Sequence, residues 1–276
     1  MQTVAVLSLK GGVGKTTVVL GLASAAMRRG VRTLVVDLDP QCNATSCLEP
    51  EQTTKGLSDV LADPSPEVLR QSVTGSSWGE EVDVLVGSED AESHNGDHDE
   101  KHLSRLTTAL SELDSLISEG ELPYQLVLLD CPPSLGRLTR SALVAADRAL
   151  LVTEPTIFAV SGVQRAFEAV QAERESTNPD LQPLGVIVNR VRPRSHEHQF
   201  RIEELREIFG PLVLPVALPD RLAVQQAQGA CMPIHQWGTP GAREVALAFN
   251  LILARTLRAG RQRRAEEDEE LVDEEA

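Results

Sequence analysis

Residues 10–17 read KGGVGKTT, a glycine-rich run that carries two lysines and two adjacent threonines. Glycines let consecutive backbone N–H groups wrap an anion, and a helix that starts directly afterwards turns its positive end toward the same point. In that arrangement Lys10, Gly11, Gly12, Val13, Gly14, Lys15, Thr16 and Thr17 line a phosphate chain, with Lys15 reaching the β and γ phosphates and the Thr16 hydroxyl ligating Mg2+. An ordinary glycine turn is the alternative; a predicted strand before the loop and a predicted helix after it favour the phosphate cradle. Two carboxylates stand where such a cradle needs a metal. Asp39 follows the second apolar run, and Asp130 closes the run LVLLD. An aspartate at one strand end is often mere punctuation, but two of them at strand ends beside a phosphate loop face the phosphates from the carboxyl end of the sheet, where a metal would sit.

The elements that must hold these groups are legible in the pattern. Thr3 to Leu9 and Val31 to Val36 are short β-branched runs, and the Ala/Leu-rich stretch Val18 to Arg29 between them ends at Gly30. This is a βαβ unit with parallel strands. Further runs at Val82 to Val86, Gln125 to Leu129, Ala149 to Val152 and Gly185 to Val188 are nearly all apolar, as strands covered on both faces are. Helical patterns fall at Lys101 to Ser118, Arg137 to Ala146, Val160 to Glu173, Glu197 to Phe209 and Gly241 to Arg258. The alternation predicts an α/β fold: one doubly wound domain over residues 1–264, with a mostly parallel sheet flanked by helices. Segment 87–102 reads as a polar loop. Its His94, His98 and His102 stand four apart, but Asn95, Gly96 and the lack of apolar partners argue against the helix that a metal site there would need.

The chain has 276 residues and a net charge of -15. Eight acids and no base fall in residues 265–276, which read as a disordered tail and leave 33 acids against 26 bases elsewhere. The global charge is therefore a poor guide to any one face. No run of eighteen apolar residues occurs, and the start of the chain has no signal-peptide pattern. The four cysteines include no CxxC pair. A cytoplasmic protein is the expectation, without structural zinc or an iron–sulfur cluster.

Leu9 stands where the general phosphate-loop pattern has its first glycine, and Lys10 opens the loop instead. In this the sequence resembles the ParA/MinD family of deviant Walker A ATPases, closest to Soj-like partition proteins. The resemblance implies ATP held between two protomers, with Lys10 crossing to the partner's nucleotide. DLDPQCNAT, residues 37–45, is similar to that family's switch I; it makes Asp39 the residue that orients water and helps hold Mg2+, and places Cys42 where a glycine is usual. LVLLDCPPSLG, residues 126–136, has the Walker B form, with Asp130 in the metal's outer shell. By the same resemblance Asn189 bonds adenine, while Pro219 and the next two residues, through Arg221, line it. Asp220 and Ala223 depart from the arginines that many chromosomal relatives carry.

The function so implied is that of a partition ATPase: an ATP-dependent homodimer that binds double-stranded DNA without sequence preference and is released when a ParB-type partner triggers hydrolysis. It would sit on the nucleoid in the ATP state. Arg190, Arg192, Arg194, Arg201, Arg206, Arg255, Arg258, Arg261, Arg263 and Arg264 are the candidate DNA contacts; for any single one a solvated helix face is the better reading, and their clustering is what favours DNA. The alternatives are a MinD-like or cargo-positioning ATPase acting without DNA, an iron–sulfur relative using Cys131, and a phosphotransferase on the same loop. The acidic tail argues against a membrane partner.

Overall fold

The computed structural model describes the backbone of residues 1–96, 100–117 and 122–274, and the side chains of residues 1–96, 102–117 and 122–261. Among these, seven strands form one sheet: β1 (Gln2–Leu7), β2 (Thr33–Asp37), β3 (Val73–Ser76), β4 (Gly79–Leu85), β5 (Leu126–Asp130), β6 (Arg148–Thr153) and β7 (Gln182–Val188). Their order across the sheet is β3-β4-β2-β5-β1-β6-β7, and every neighbouring pair is parallel except β3 with β4. The doubly wound expectation holds. The edge hairpin β3–β4 goes beyond the sequence pattern, because VTGS lacks the apolar run that marks a strand covered on both faces.

Alternate residues of each strand feed opposite layers. Ala5, Leu7, Leu34, Val36, Val127 and Leu129 pack under α3 (Leu57–Ala62), α5 (Arg105–Ser111), α6 (Arg137–Ala145), α7 (Ala159–Ser176) and α8 (His196–Phe209). Val4, Val6, Val35, Leu128 and Leu150 pack under α1 (Lys15–Met27), α9 (Leu222–Gly229) and α10 (Pro240–Glu274). Two short helices, α2 (Asn43–Leu48) and α4 (Pro66–Ser72), complete the helical set. Helix α1 starts three residues earlier than its apolar pattern does, so its first turn belongs to the phosphate loop. It approaches α10 closely: a Cβ at Gly21 would lie 2.1 Å from the Phe249 ring.

Segment 87–102 carries a 3-10 turn, Glu89–Gly96, and His94 is tied to the Ser58 hydroxyl of α3 at 3.1 Å. His98 lies outside the described residues, and no group of three or more metal-binding side chains occurs among those described. The expected helix over 101–118 is shorter, α5 being flanked by 3-10 turns at Glu100–Ser104 and Leu113–Leu116. The side chains of the acidic tail lie outside the described residues. No described helix is long and apolar enough to cross a membrane.

Candidate functional site

Parallel strands bring their carboxyl ends to one edge, and the sheet order decides which ends are neighbours. β1 and β5 are paired with Val6 beside Asp130, and β5 and β2 with Asp130 beside Asp37. The loop after β1 therefore opens beside two strand ends that carry carboxylates. In that loop Gly14 has a φ of 96°, in the left-handed region, and a Cβ there would meet the Asn189 amide nitrogen at 2.2 Å. Only glycine serves both demands.

Lys15 is buried at the first turn of α1 and acts electrostatically on Asp130. Asp130 is fully buried, and neither of its carboxylate oxygens has a formed hydrogen bond. Burial pushes its pKa well above the ordinary carboxylate value, and the charge of Asp37 adds to that; the Thr16 hydroxyl and Lys15 act in the opposite sense. Asp37 is also raised, to about 6, by burial, although the backbone N–H and the hydroxyl of Thr45 both donate to its Oδ2 at 2.8 Å. Asp39 is buried and accepts the Gln41 N–H at 3.0 Å. Asp37 and Asp130 are neighbours at the paired ends of β2 and β5, and Lys15 acts on Asp130, so hard oxygen donors stand beside the lysine of the loop. Such a set fits a divalent cation of the Mg2+ type, and the partnerless oxygens of Asp130 are the strongest sign of it.

Lys10 is paired with a different acid. Its ammonium lies 3.5 Å from Glu154, which follows β6, and the other Glu154 oxygen takes Arg190 at 2.7 Å. Beyond the loop, an open cleft is lined by Thr17, Asn189, Pro219, Arg221, Val224 and Gln228, among others. The residues expected to hold adenine thus surround one cleft. Asn189 also braces the phosphate loop, since its Nδ2 donates to the Val13 carbonyl at 2.7 Å and its Oδ1 accepts the Arg190 N–H at 2.8 Å. One N–H and one lone pair remain for a base. Arg221 is held by both oxygens of Glu244, at 2.7 and 2.9 Å.

Sequence reasoning missed Glu154, Thr45 and the hydrogen bond by which the Gln228 amide donates to the Thr17 hydroxyl at 3.2 Å. Glu154 had a signal, being an acid directly after an apolar strand, which is the rule that found Asp130. Cys42 adopts a φ of 52°, the left-handed conformation that explains why a glycine is usual at its place. Cys131 is fully buried, its thiol pushed well up by burial and by Asp130, and its sulfur faces the Leu129 carbonyl. A buried, protonated thiol does not suit a cluster ligand shared across a surface.

The candidate DNA arginines separate into two groups at opposite ends of β7. At the carboxyl end, Arg190 is bound to Glu154, Arg192 to Asp220 at 2.8 Å, and Arg201 to Glu197 and Glu204. Arg194 and Arg206 are exposed. At the amino end are Arg255 and Arg258, with Arg261 exposed further along α10. The side chains of Arg263 and Arg264 lie outside the described residues.

The sequence model of a family described as an AAA domain matches residues 1–183. The chain is 34% identical to the chromosome-partitioning ATPase Soj of Thermus thermophilus, over 94% of this chain and 98% of that protein. It is 30% identical to the chromosome partitioning protein ParA of Caulobacter vibrioides, over 85% and 86% of the two chains. Among solved structures it resembles cobyrinic acid a,c-diamide synthase of Mycobacterium smegmatis with a bound ATP analog and magnesium, at a TM-score of 0.73 and 26% identity, covering 95% and 96% of the chains.

Proposed function

This chain belongs to the ParA/MinD family of P-loop ATPases, close to its Soj-like branch, and from that premise we propose that it is a partition ATPase whose ATP-bound dimer holds DNA and is released by partner-stimulated hydrolysis. The observation that carries the ATPase part is the pairing of the KGGVGKTT loop with Asp130, buried and without a hydrogen-bond partner at the neighbouring strand end. Lys15, Thr16 and the loop N–H groups would bind the phosphates, while Thr16, Asp39 and Asp130 would hold Mg2+. Bound there, the ion offsets the charge of the phosphates being separated. Asp39, next to that position, orients the water. The cleft of Asn189, Pro219 and Arg221 takes the base.

Dimerisation is supported by the face around Lys10. Ile157 and Phe158 follow Glu154 closely and are 64% and 69% exposed, and Leu135 of the segment after Asp130 is 40% exposed. Exposed apolar groups beside an exposed lysine suit a face that a second protomer covers. DNA binding would then come from arginines doubled by the dimer, and a ParB-type partner would act through residues 134–140, which follow Asp130. The proposed location is the cytoplasm, on the nucleoid in the ATP state. A second reading, a cargo-positioning ATPase that works without DNA, is favoured by one observation: Arg190, Arg192 and Arg201 are already neutralised by carboxylates.

Paired substitutions test the ATPase assignment. Lys15→Ala removes a buried charge facing the phosphates and should weaken ATP binding by about 2–5 kcal/mol. Asp39→Ala should bind ATP with little change but hydrolyse it at least about tenfold more slowly. ATP affinity unchanged by Lys15→Ala, or turnover unchanged by Asp39→Ala, would show that the chemistry lies elsewhere.

A further inference from the structure

Two cations share one acid beside the phosphate loop. Glu154 directly follows β6, and Arg190 stands two residues past the end of β7. The pairing of Thr153 with Val188, and the bond from the Asn189 N–H to Thr153 O at 2.8 Å, hold these two strand ends side by side. One residue further on, the Val191 N–H donates to Leu218 O at 2.9 Å. Arg190 is therefore flanked by two pinned residues, and its φ of 54° lies in the left-handed region that side chains rarely adopt. Its own N–H donates to Asn189 Oδ1 at 2.8 Å, while Asn189 Nδ2 reaches the Val13 carbonyl of the phosphate loop at 2.7 Å.

From this fixed backbone the Arg190 guanidinium donates to Glu154 Oε1 at 2.7 Å, whereas the Lys10 ammonium stands 3.5 Å from Oε2. The first contact has hydrogen-bond length and the second exceeds it, so Arg190 has the firmer hold on the acid. A second cation on a carboxylate loosens the first, because it offsets the negative charge and repels its fellow. With Arg190 in place, Lys10 is held weakly; without it, the whole charge of Glu154 would face the lysine. Both cationic side chains are 50% exposed, which keeps the difference within a few-fold.

We propose that Arg190 is a positioning residue for Lys10: by occupying Glu154 it keeps the lysine releasable, and so favours the ATP-dependent dimer that Lys10 joins. The dimer step rests on the partition reading above. The competition for Glu154 is a property of the single chain.

The test labels the full chain, without nucleotide, for a short time with an amine-reactive acetyl ester, and mass spectrometry reads the rate at Lys10 relative to Lys55. Arg190→Gly suits the positive φ and keeps the backbone N–H. It should slow labelling of Lys10 by about two- to fivefold, and Glu154→Gln should speed it by a similar factor. In a chain that already carries Glu154→Gln, Arg190→Gly should have no further effect, and Arg190→Lys should keep part of the wild-type rate; a merely structural role for Arg190 would produce neither result. Sedimentation equilibrium in ATP and Mg2+, without DNA, should show the Arg190→Gly dimer forming only at a several-fold higher protein concentration, a shift that Glu154→Gln removes. If the wild-type chain stays monomeric in ATP, the partition reading fails while the labelling rates still decide the competition. Labelling of Lys10 unmoved or faster in Arg190→Gly, an effect that persists without Glu154, or slower labelling beside an unchanged dimer would overturn the proposal.

Discussion

The Lys10 ammonium and the Glu154 carboxylate of the same chain are 3.5 Å apart, and Arg190 occupies the other oxygen of that carboxylate at 2.7 Å. The lysine that the family resemblance sends across a dimer is thus held at home, on an acid that Arg190 already half neutralises. Lys10 is half exposed, so the contact is a weak one. Leaving it requires only a modest free energy.

Glu154→Gln removes that contact and should release Lys10. An exposed ion pair is worth about 0.2–1 kcal/mol and each dimer breaks two, so the ATP-dependent dimer should form at a protein concentration up to about thirtyfold lower. Sedimentation equilibrium in ATP and Mg2+ reads the shift. A weaker dimer in this variant would mean that Glu154 serves the interface instead of restraining Lys10.

Asp130→Asn replaces a buried carboxylate that has no hydrogen-bond partner in the protein. Without ligand the variant should be at least as stable as the parent, because burial already disfavours the Asp130 charge and an amide carries none. It should also lose the further rise in melting temperature that Mg2+ gives on top of ATP. Thermal melts with Mg2+ and with a chelator check both parts. A destabilised variant that keeps the Mg2+ effect would remove Asp130 from the cation site.

His235 links α1 to α10, with its Nδ1 2.7 Å from the Ser24 hydroxyl and its Nε2 3.2 Å from the Asn250 side-chain oxygen. Burial lowers its pKa below 6.5, and the charge of Arg28 adds to the effect. The unfolded chain therefore takes up this proton at a higher pH than the folded one does. Stability from this site is complete above about pH 6.5 and is lost as pH falls through the depressed value. His235→Gln should melt with a flatter pH dependence on the acid side of neutrality. An unchanged slope would place the sensitivity on other groups.

Burial and local pattern decide what is legible without the structure. β1, β2, β5 and β6 are covered on both faces and appear as continuous apolar runs, so the strand ends that carry Asp37 and Asp130 can be read directly. The phosphate loop is legible because its glycines and lysines work within eight residues. Glu154 is not, since its meaning depends on β6 lying beside β1, a contact of topology that no local spacing reports. The edge strand β3 is partly exposed along its length and has no run to see. At Cys42 the family resemblance signals a glycine, and the φ of 52° supplies the reason, but a single cysteine in the sequence does not disclose its backbone conformation.

On the partition reading, ATP makes a dimer and the dimer holds DNA. Sedimentation velocity of the full chain, with ATP and Mg2+, with ADP or without nucleotide, each with and without plasmid DNA at low salt, addresses both steps in one experiment. The expected result is a monomer except with ATP, a dimer with ATP, and cosedimentation of that dimer with DNA that falls steeply as salt is raised. A dimer that leaves DNA unbound at low salt would contradict the DNA step, and a chain that stays monomeric in ATP and Mg2+ would contradict the ATP-dependent dimer on which everything else depends.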